Sequence, residues 1–151
     1  QDIDFIYHAL VESEKIFRLN FHYIILLRPT SPLRPDGLIE KGLKMITLDK
    51  KATSLKAVTV SKEHPYRQWK IKAKNYITGY ETSIYEPYNL PRQELPVAYY
   101  SSGELEIITR KTILDKKSVS GENIIPLILD KDIVTDIDTD EDWLSAENRT
   151  T

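Results

Sequence analysis

The feature that most constrains this chain is an apolar run, residues 23–27, that stops at a polar turn, residues 28–34. A short uninterrupted run such as Tyr-Ile-Ile-Leu-Leu is typical of a strand buried in a sheet. Two prolines then end the strand, and in open α/β sheets ligands bind beyond the carboxyl ends of the strands. Surface ion pairs in a simple turn are the alternative interpretation. The candidate site for an anion or a sugar consists of Arg28, Thr30, Ser31 and Arg34.

Helical and extended segments alternate along the first 60 residues. Apolar side chains at helical spacing predict helices over 2–17 and 36–48, the second with Asp36 as its N-cap. A second strand is predicted at 55–60, and a strand–helix–strand order implies a parallel, right-handed crossover. The predicted fold class is therefore α/β. Later in the chain we predict strands at 105–108 and 124–129 and helices at 110–115 and 139–147.

Residues 64–91 interrupt this alternation with a segment rich in tyrosine. Within it, residues 69–77 alternate apolar side chains with lysines, which predicts a half-exposed strand. We interpret the segment as a hairpin or arm that leaves the main sheet. Exposed aromatic arms are more typical of subunit contacts than of catalytic sites.

The amino-acid composition limits the classes of function that this chain could have. The chain has 151 residues, enough for one domain, 1–151, with a core. Its formal net charge of −2 does not favour a nucleic-acid partner. Cysteine is absent, which excludes disulfides and cysteine-bound metals, and no apolar run approaches the length of a membrane span. We expect a cytoplasmic protein without a nucleic-acid or membrane partner.

An acidic run, residues 136–142, supplies a second candidate site. Asp136 and Asp138 are two residues apart, so on an extended segment their carboxylates point the same way. That arrangement suits Mg²⁺, which binds one or two carboxylates together with waters and substrate phosphates. The alternative is a solvated helix start, with Thr139 and Asp142 forming a capping box. Both interpretations can hold at once because the two aspartates precede the cap.

Three motifs that are weak singly become specific when they occur in this order. They are residues 27–34, the sequence Arg-Gln-Glu-Leu-Pro at 92–96 followed by Ser102-Gly103, and Asp136-Ile137-Asp138 leading into a helix. Together they resemble the motifs of the acylneuraminate cytidylyltransferases, also called CMP-sialic acid synthetases. The resemblance spans most of the chain.

The resemblance implies a fold, a reaction and a set of roles. The fold is a three-layer, Rossmann-like nucleotide-diphospho-sugar transferase fold with a mostly parallel sheet and a dimerisation arm, here 64–91. The reaction joins CTP to a nine-carbon 2-keto sugar acid, giving a CMP-sugar and pyrophosphate in a homodimer. Mg²⁺ would bind the catalytic Asp136 and Asp138, and Arg92 would hold the sugar carboxylate. The implied substrate-binding set is Arg28, Thr30, Ser31, Arg34, Arg92, Gln93, Ser102, Gly103 and Glu106.

Three departures from the family pattern carry expectations of their own. Nothing matches the family's basic, glycine-containing CTP loop, so we expect a member without that N-terminal segment and inactive alone. Arg28 replaces a glutamine, and Glu104-Leu105-Glu106 stands where sialic acid enzymes favour Ala-Ile-Tyr. This pattern looks more like the branch that handles legionaminic-type acids, with Glu106 or Arg28 facing the acylamino groups. The alternatives are a non-catalytic sugar-binding or dimerisation module of the same fold, and a cytidylyltransferase for the eight-carbon acid Kdo.

Overall fold

The computed structural model describes residues 1–149, apart from the side chain of Lys74. The final two residues of the predicted domain, 150–151, lie outside the described residues. The chain divides into two compact units, one built from 1–59 and 101–149 and the other from Val60–Tyr100. None of the helices within residues 1–149 is long and apolar enough to cross a membrane. The helices are α1 (Asp2–Phe17), α2 (Leu38–Leu48), α3 (Arg110–Lys116) and α4 (Asp140–Asn148), and the strands are β1 (Tyr23–Leu26), β2 (Ser54–Val60), β3 (Trp69–Ile71), β4 (Ile77–Gly79), β5 (Tyr99–Thr109) and β6 (Ile124–Ile128).

A four-stranded sheet in the order β1-β5-β2-β6 forms the first unit, which confirms the α/β class. The sheet is mixed, and β5 is its antiparallel strand. β2 and β6 are parallel, but β5 is antiparallel to β1. It is also antiparallel to β2, because the Thr109 amide at the end of β5 donates to the Thr53 carbonyl just before β2 at 3.1 Å, while the Ser61 amide just after β2 donates to the Ala98 carbonyl just before β5 at 2.8 Å. The strand–helix–strand order correctly predicts that β1 and β2 point in the same direction. It could not show that β5 lies between them.

Helices pack against both faces of β5. Leu105 and Ile107 belong to a core cluster with α2, whereas Ile108 belongs to a second cluster with α1 and α3. This division follows from the alternation of side chains along a strand. The three-layer arrangement of the whole family fold stays a prediction. The buried residues of the α2 cluster are Leu38, Ile46, Leu55, Ala57, Leu105, Ile107, Leu127 and Leu129.

Two predicted details near helix and strand boundaries are wrong. Gly37, at φ 72°, is the N-cap of α2 in place of Asp36. Residues 69–77 are not one strand, because a 3-10 helix at Ala73–Asn75 separates β3 from β4. The two short strands pair antiparallel as a hairpin of the second unit, so the predicted hairpin is present. Its role as a dimerisation arm stays a prediction.

Candidate functional site

The polar turn after β1 is held by hydrogen bonds to the backbone. Arg34 Nε donates to the Glu104 carbonyl at 2.7 Å, and Arg34 Nη2 donates to the Arg28 carbonyl. Ser31 is fully buried, and its Oγ lies 3.5 Å from the Ser102 carbonyl. Arg34 and Ser31 therefore fasten the turn onto β5 and give it a defined shape.

Gly103 is required at its position for two reasons. Its φ of +89° lies in the region that favours glycine, and a Cβ there would lie 2.8 Å from Ser31 Oγ. The absence of a side chain at Gly103 therefore lets the backbone of β5 approach the turn closely. The structure thus places Ser102 and Gly103 directly against the predicted anion or sugar turn.

Arg28, in the turn after β1, belongs to a charge network with residues of α1, β5 and β2. Its Nη2 lies 2.5 Å from Asp2 Oδ2 and 3.3 Å from Glu106 Oε1, while Lys56 Nζ lies 2.7 Å from Glu106 Oε2. The hydrogen bond to Asp2, with support from Glu106, raises the pKa of the Arg28 guanidinium above its ordinary value. Both oxygens of Glu106 are occupied by cations, so Glu106 orients Arg28. Arg28 keeps part of its side chain exposed at the strand end.

Asp136 lies beside the turn, between two anchored backbone amides. The Thr135 amide donates to Glu104 Oε1 at 2.9 Å, and the Ile137 amide donates to the Thr30 carbonyl at 2.9 Å. The Asp136 and Asp138 side chains are exposed. The segment after β6 thus returns across the strand ends to the turn, and it brings the acidic motif to the first motif.

The predicted capping box of α4 is present and includes Asp138. The Asp142 amide donates to Thr139 Oγ1 at 3.2 Å, and Asp142 Oδ2 accepts from the amides of Thr139 and Asp138. The hydrogen bond from the Thr139 side chain is the largest cause that lowers the pKa of Asp142 below its ordinary value. The cap and the two preceding aspartates therefore coexist, as expected.

A metal ion bound by Asp136 and Asp138 would need ligands beyond these two carboxylates. Within the described part of the chain, no group of three or more histidine, cysteine, aspartate or glutamate side chains could hold a metal ion. Asp136 and Asp138 are exposed, hard oxygen donors, which fits Mg²⁺ bound by two carboxylates together with waters and phosphates. They do not fit a cage made by the protein alone.

Arg92 and Gln93 lie in the other compact unit. Both are exposed, and they form part of a 3-10 helix at Arg92–Glu94. The remaining candidates all lie in the first unit, where the turn, the Ser102-Gly103 step and Asp136 are joined by the contacts above.

Glu104 was absent from the candidate set, yet it contacts both motifs of the first unit. It is fully buried, its carbonyl accepts from Arg34 and its Oε1 accepts from Thr135. Its Oε2 has no hydrogen-bond partner among the described residues. The only signal in the sequence was that Glu104 directly precedes the predicted apolar strand 105–108. Because charged residues are rarely buried, that position did not mark it as a buried residue.

A mixed α/β sheet with polar residues gathered at the strand ends is consistent with a Rossmann-like fold. No protein-family model matches the chain. It is 26% identical over 148 residues to "Post-translational flagellin modification protein B" of Campylobacter coli, covering 92% of this chain and 57% of that protein. It is 28% identical over 128 residues to "CMP-N,N'-diacetyllegionaminic acid synthase" of Legionella pneumophila, covering 84% of this chain and 53% of that protein.

These two relatives confirm the resemblance to the CMP-nonulosonate cytidylyltransferases. The chain spans about half the length of the curated relatives it matches.

Proposed function

We propose that this chain supplies the metal-binding and sugar-binding parts of a cytidylyltransferase that joins CTP to a nonulosonic acid of the legionaminic type to give a CMP-sugar and pyrophosphate. One observation carries the proposal: the similarity to a CMP-N,N'-diacetyllegionaminic acid synthase extends over 84% of this chain. The contacts that join the turn at 28–34, the Ser102-Gly103 step and Asp136 support it, because they place polar groups at the strand ends where α/β proteins bind ligands.

Each candidate residue has a role implied by the family resemblance. Asp136 and Asp138 would hold Mg²⁺, which when bound supplies positive charge against the triphosphate. Arg28, Thr30, Ser31 and Arg34 would form the wall of the sugar and nucleotide pocket, with Ser31 and Arg34 acting by holding its backbone. Arg92, beside Gln93, would bind the sugar carboxylate, because a guanidinium can grip a carboxylate with two hydrogen bonds.

In this reaction the main role of these residues is to position the substrates. The anomeric oxygen of the sugar acid bonds to the α-phosphorus, its proton passes to water, and the bond from that phosphorus to the bridging oxygen breaks. Pyrophosphate departs with the bonding electrons. Phosphoryl-type transfer of this kind is accelerated by alignment and by fixed positive charge, and both are properties of a rigid, pre-formed turn.

A turnover assay tests the proposal. The chain would be assayed by itself and joined to the part of the Legionella synthase that the match leaves uncovered, with CTP, Mg²⁺ and one sugar acid at a time. We expect the joined protein to form a CMP-sugar, seen by phosphorus NMR, from N,N'-diacetyllegionaminic acid. Product from Kdo alone would favour the eight-carbon alternative. Absence of product, with sugar-acid binding in calorimetry that is independent of Mg²⁺ and nucleotide, would favour a non-catalytic module.

The metal assignment is tested by two amide substitutions. Asp136→Asn and Asp138→Asn each remove a hard anionic ligand, and we expect each to lower Mg²⁺-dependent turnover of the joined protein by about 100-fold. Asp130→Asn, at another exposed aspartate after β6, is the control and should leave turnover unchanged. Normal turnover in both test variants would remove Asp136 and Asp138 from the mechanism.

A further inference from the structure

Glu104 occupies a position that an apolar side chain would fill at lower cost. It lies fully buried on β5, beside the fully buried Leu105. One carboxylate oxygen accepts a single backbone hydrogen bond, from Thr135, and the other has no partner among the described residues. A buried carboxylate with one unmatched oxygen is unfavourable for folding. Such groups persist in proteins mainly where function requires them.

The contacts of Glu104 connect the two motifs of the first unit. Its backbone carbonyl holds Arg34 at 2.7 Å, and its side chain holds the Thr135 amide at 2.9 Å. Thr135 directly precedes Asp136, and the Ile137 amide on the other side of Asp136 is bound to Thr30. The backbone around Asp136 is therefore attached at both sides, once to β5 and once to the turn.

We propose that Glu104 is a positioning residue, which through the Thr135 amide fixes the segment that carries Asp136 and Asp138. The inference rests on the proposed function in one respect, namely the metal-binding purpose of that segment. The attachment itself is a property of this chain and is tested without substrate or metal.

Amide hydrogen exchange in the isotope-labelled chain measures the attachment directly. Glu104→Gln keeps an oxygen acceptor, so Thr135 should stay protected. Glu104→Met keeps the volume and removes the acceptor, so Thr135 should exchange at least about tenfold faster, and the amide signals of Asp136 and Asp138 should shift. Thr59→Val, at another buried residue of the first unit with an unpartnered side-chain oxygen, is the matched control and should leave Thr135 unchanged.

The Met variant should remain folded, because replacing a buried charge with an apolar side chain is often neutral or stabilising. Unchanged Thr135 exchange in the folded Met variant would overturn the proposal. Faster Thr135 exchange without any change at Asp136 and Asp138 would also overturn it, since the attachment would then be local to Thr135. If the Met variant does not fold, the Gln variant decides: loss of Thr135 protection there would contradict the role of the retained oxygen.

Binding of paramagnetic Mn²⁺ tests separately whether the attachment serves metal binding at Asp136 and Asp138. We expect Mn²⁺ to broaden the signals of Asp136 and Asp138 in the unmodified chain. Its apparent affinity should fall several-fold in Glu104→Met and return in Glu104→Gln. Equal affinity in the unmodified chain and the Met variant would overturn the positioning role. Absence of broadening in the unmodified chain would count against the proposed function, while the exchange measurement would still judge the attachment.

Discussion

At the scale of single residues, the buried carboxylate of Glu106 determines how Arg28 is presented. Glu106 bonds Arg28 through one oxygen and Lys56 through the other. The family resemblance predicts that Glu106 or Arg28 faces the acylamino groups of the sugar. Both Glu106 oxygens are bonded to cations, whereas part of the Arg28 side chain remains exposed, and the sugar contact itself stays a prediction.

Removing one cation from Glu106 should destabilise the first unit. In Lys56→Met, Glu106 keeps Arg28 but loses the partner of Oε2, and we expect a loss of about 1–3 kcal/mol in the free energy of unfolding. Lys15→Met is the control, because the Lys15–Glu12 pair is exposed and should contribute less than about 1 kcal/mol. Chemical denaturation measures both. Equal losses would show that burial of Glu106 does not strengthen its pairing.

At the scale of elements, β5 is shaped by the close approach of the turn at Gly103. Gly103 combines a positive φ with a close contact to Ser31. Neighbouring residues of β5 can therefore contact both the turn and the Asp136 segment. The helix α4 contributes in another way, since its cap also binds the Asp138 amide.

Adding a methyl group at two glycines separates backbone strain from crowding. Gly37→Ala meets no atom within 4 Å, so only its φ of +72° opposes the change, at about 1–2 kcal/mol. Gly103→Ala adds the 2.8 Å contact with Ser31 Oγ, and we expect a further loss of about 1–3 kcal/mol. Thermal unfolding of both variants checks the order. Equal losses of stability in the two variants would mean that the turn moves to accommodate the methyl group without further cost.

The α4 cap should weaken in acid. The lowered pKa of Asp142 means that its carboxylate stabilises the fold above the pKa of the unfolded chain, and that this contribution is lost as pH falls through the folded pKa. Thr139→Val removes the largest cause of the shift and should return the pKa of Asp142 toward its ordinary value. NMR titration of the Asp142 carboxyl measures this, with Thr47→Val on α2 as control. An unchanged pKa in Thr139→Val would contradict the assignment.

At the scale of the whole molecule, the chain divides into two compact units. The second unit exposes large apolar side chains, including Ile71 at 82% and Tyr85 at 88% of their surface. Exposed apolar side chains in one segment are typical of a contact with another chain. The homodimer implied by the family resemblance would use this segment.

Charged substitutions in the second unit test the homodimer. We expect the unmodified chain to show the mass of a dimer in light scattering, and Ile71→Lys and Tyr85→Lys to shift it to a monomer. Ile16→Lys, on α1 and 72% exposed, is the control and should leave the mass unchanged. A monomeric unmodified chain would contradict the prediction.

The local elements were predictable because their signals lie within a few neighbouring residues. Helical spacing over 2–17, the apolar run at 23–27 and the Thr139–Asp142 cap all correspond to observed elements. The N-cap of α2 was misplaced because Gly37 adopts a positive φ that no neighbouring side chain signals. The hairpin was read as one strand because alternation continues through the short 3-10 turn.

Local patterns and ordered motifs were enough to predict the α/β class, most of the elements along the chain and the resemblance to the CMP-nonulosonate cytidylyltransferases. The position of β5 between β1 and β2, and the contacts by which Glu104 joins the turn to the Asp136 segment, follow only from tertiary contacts. Such contacts join residues far apart in the chain, so they arise only when the strands are paired.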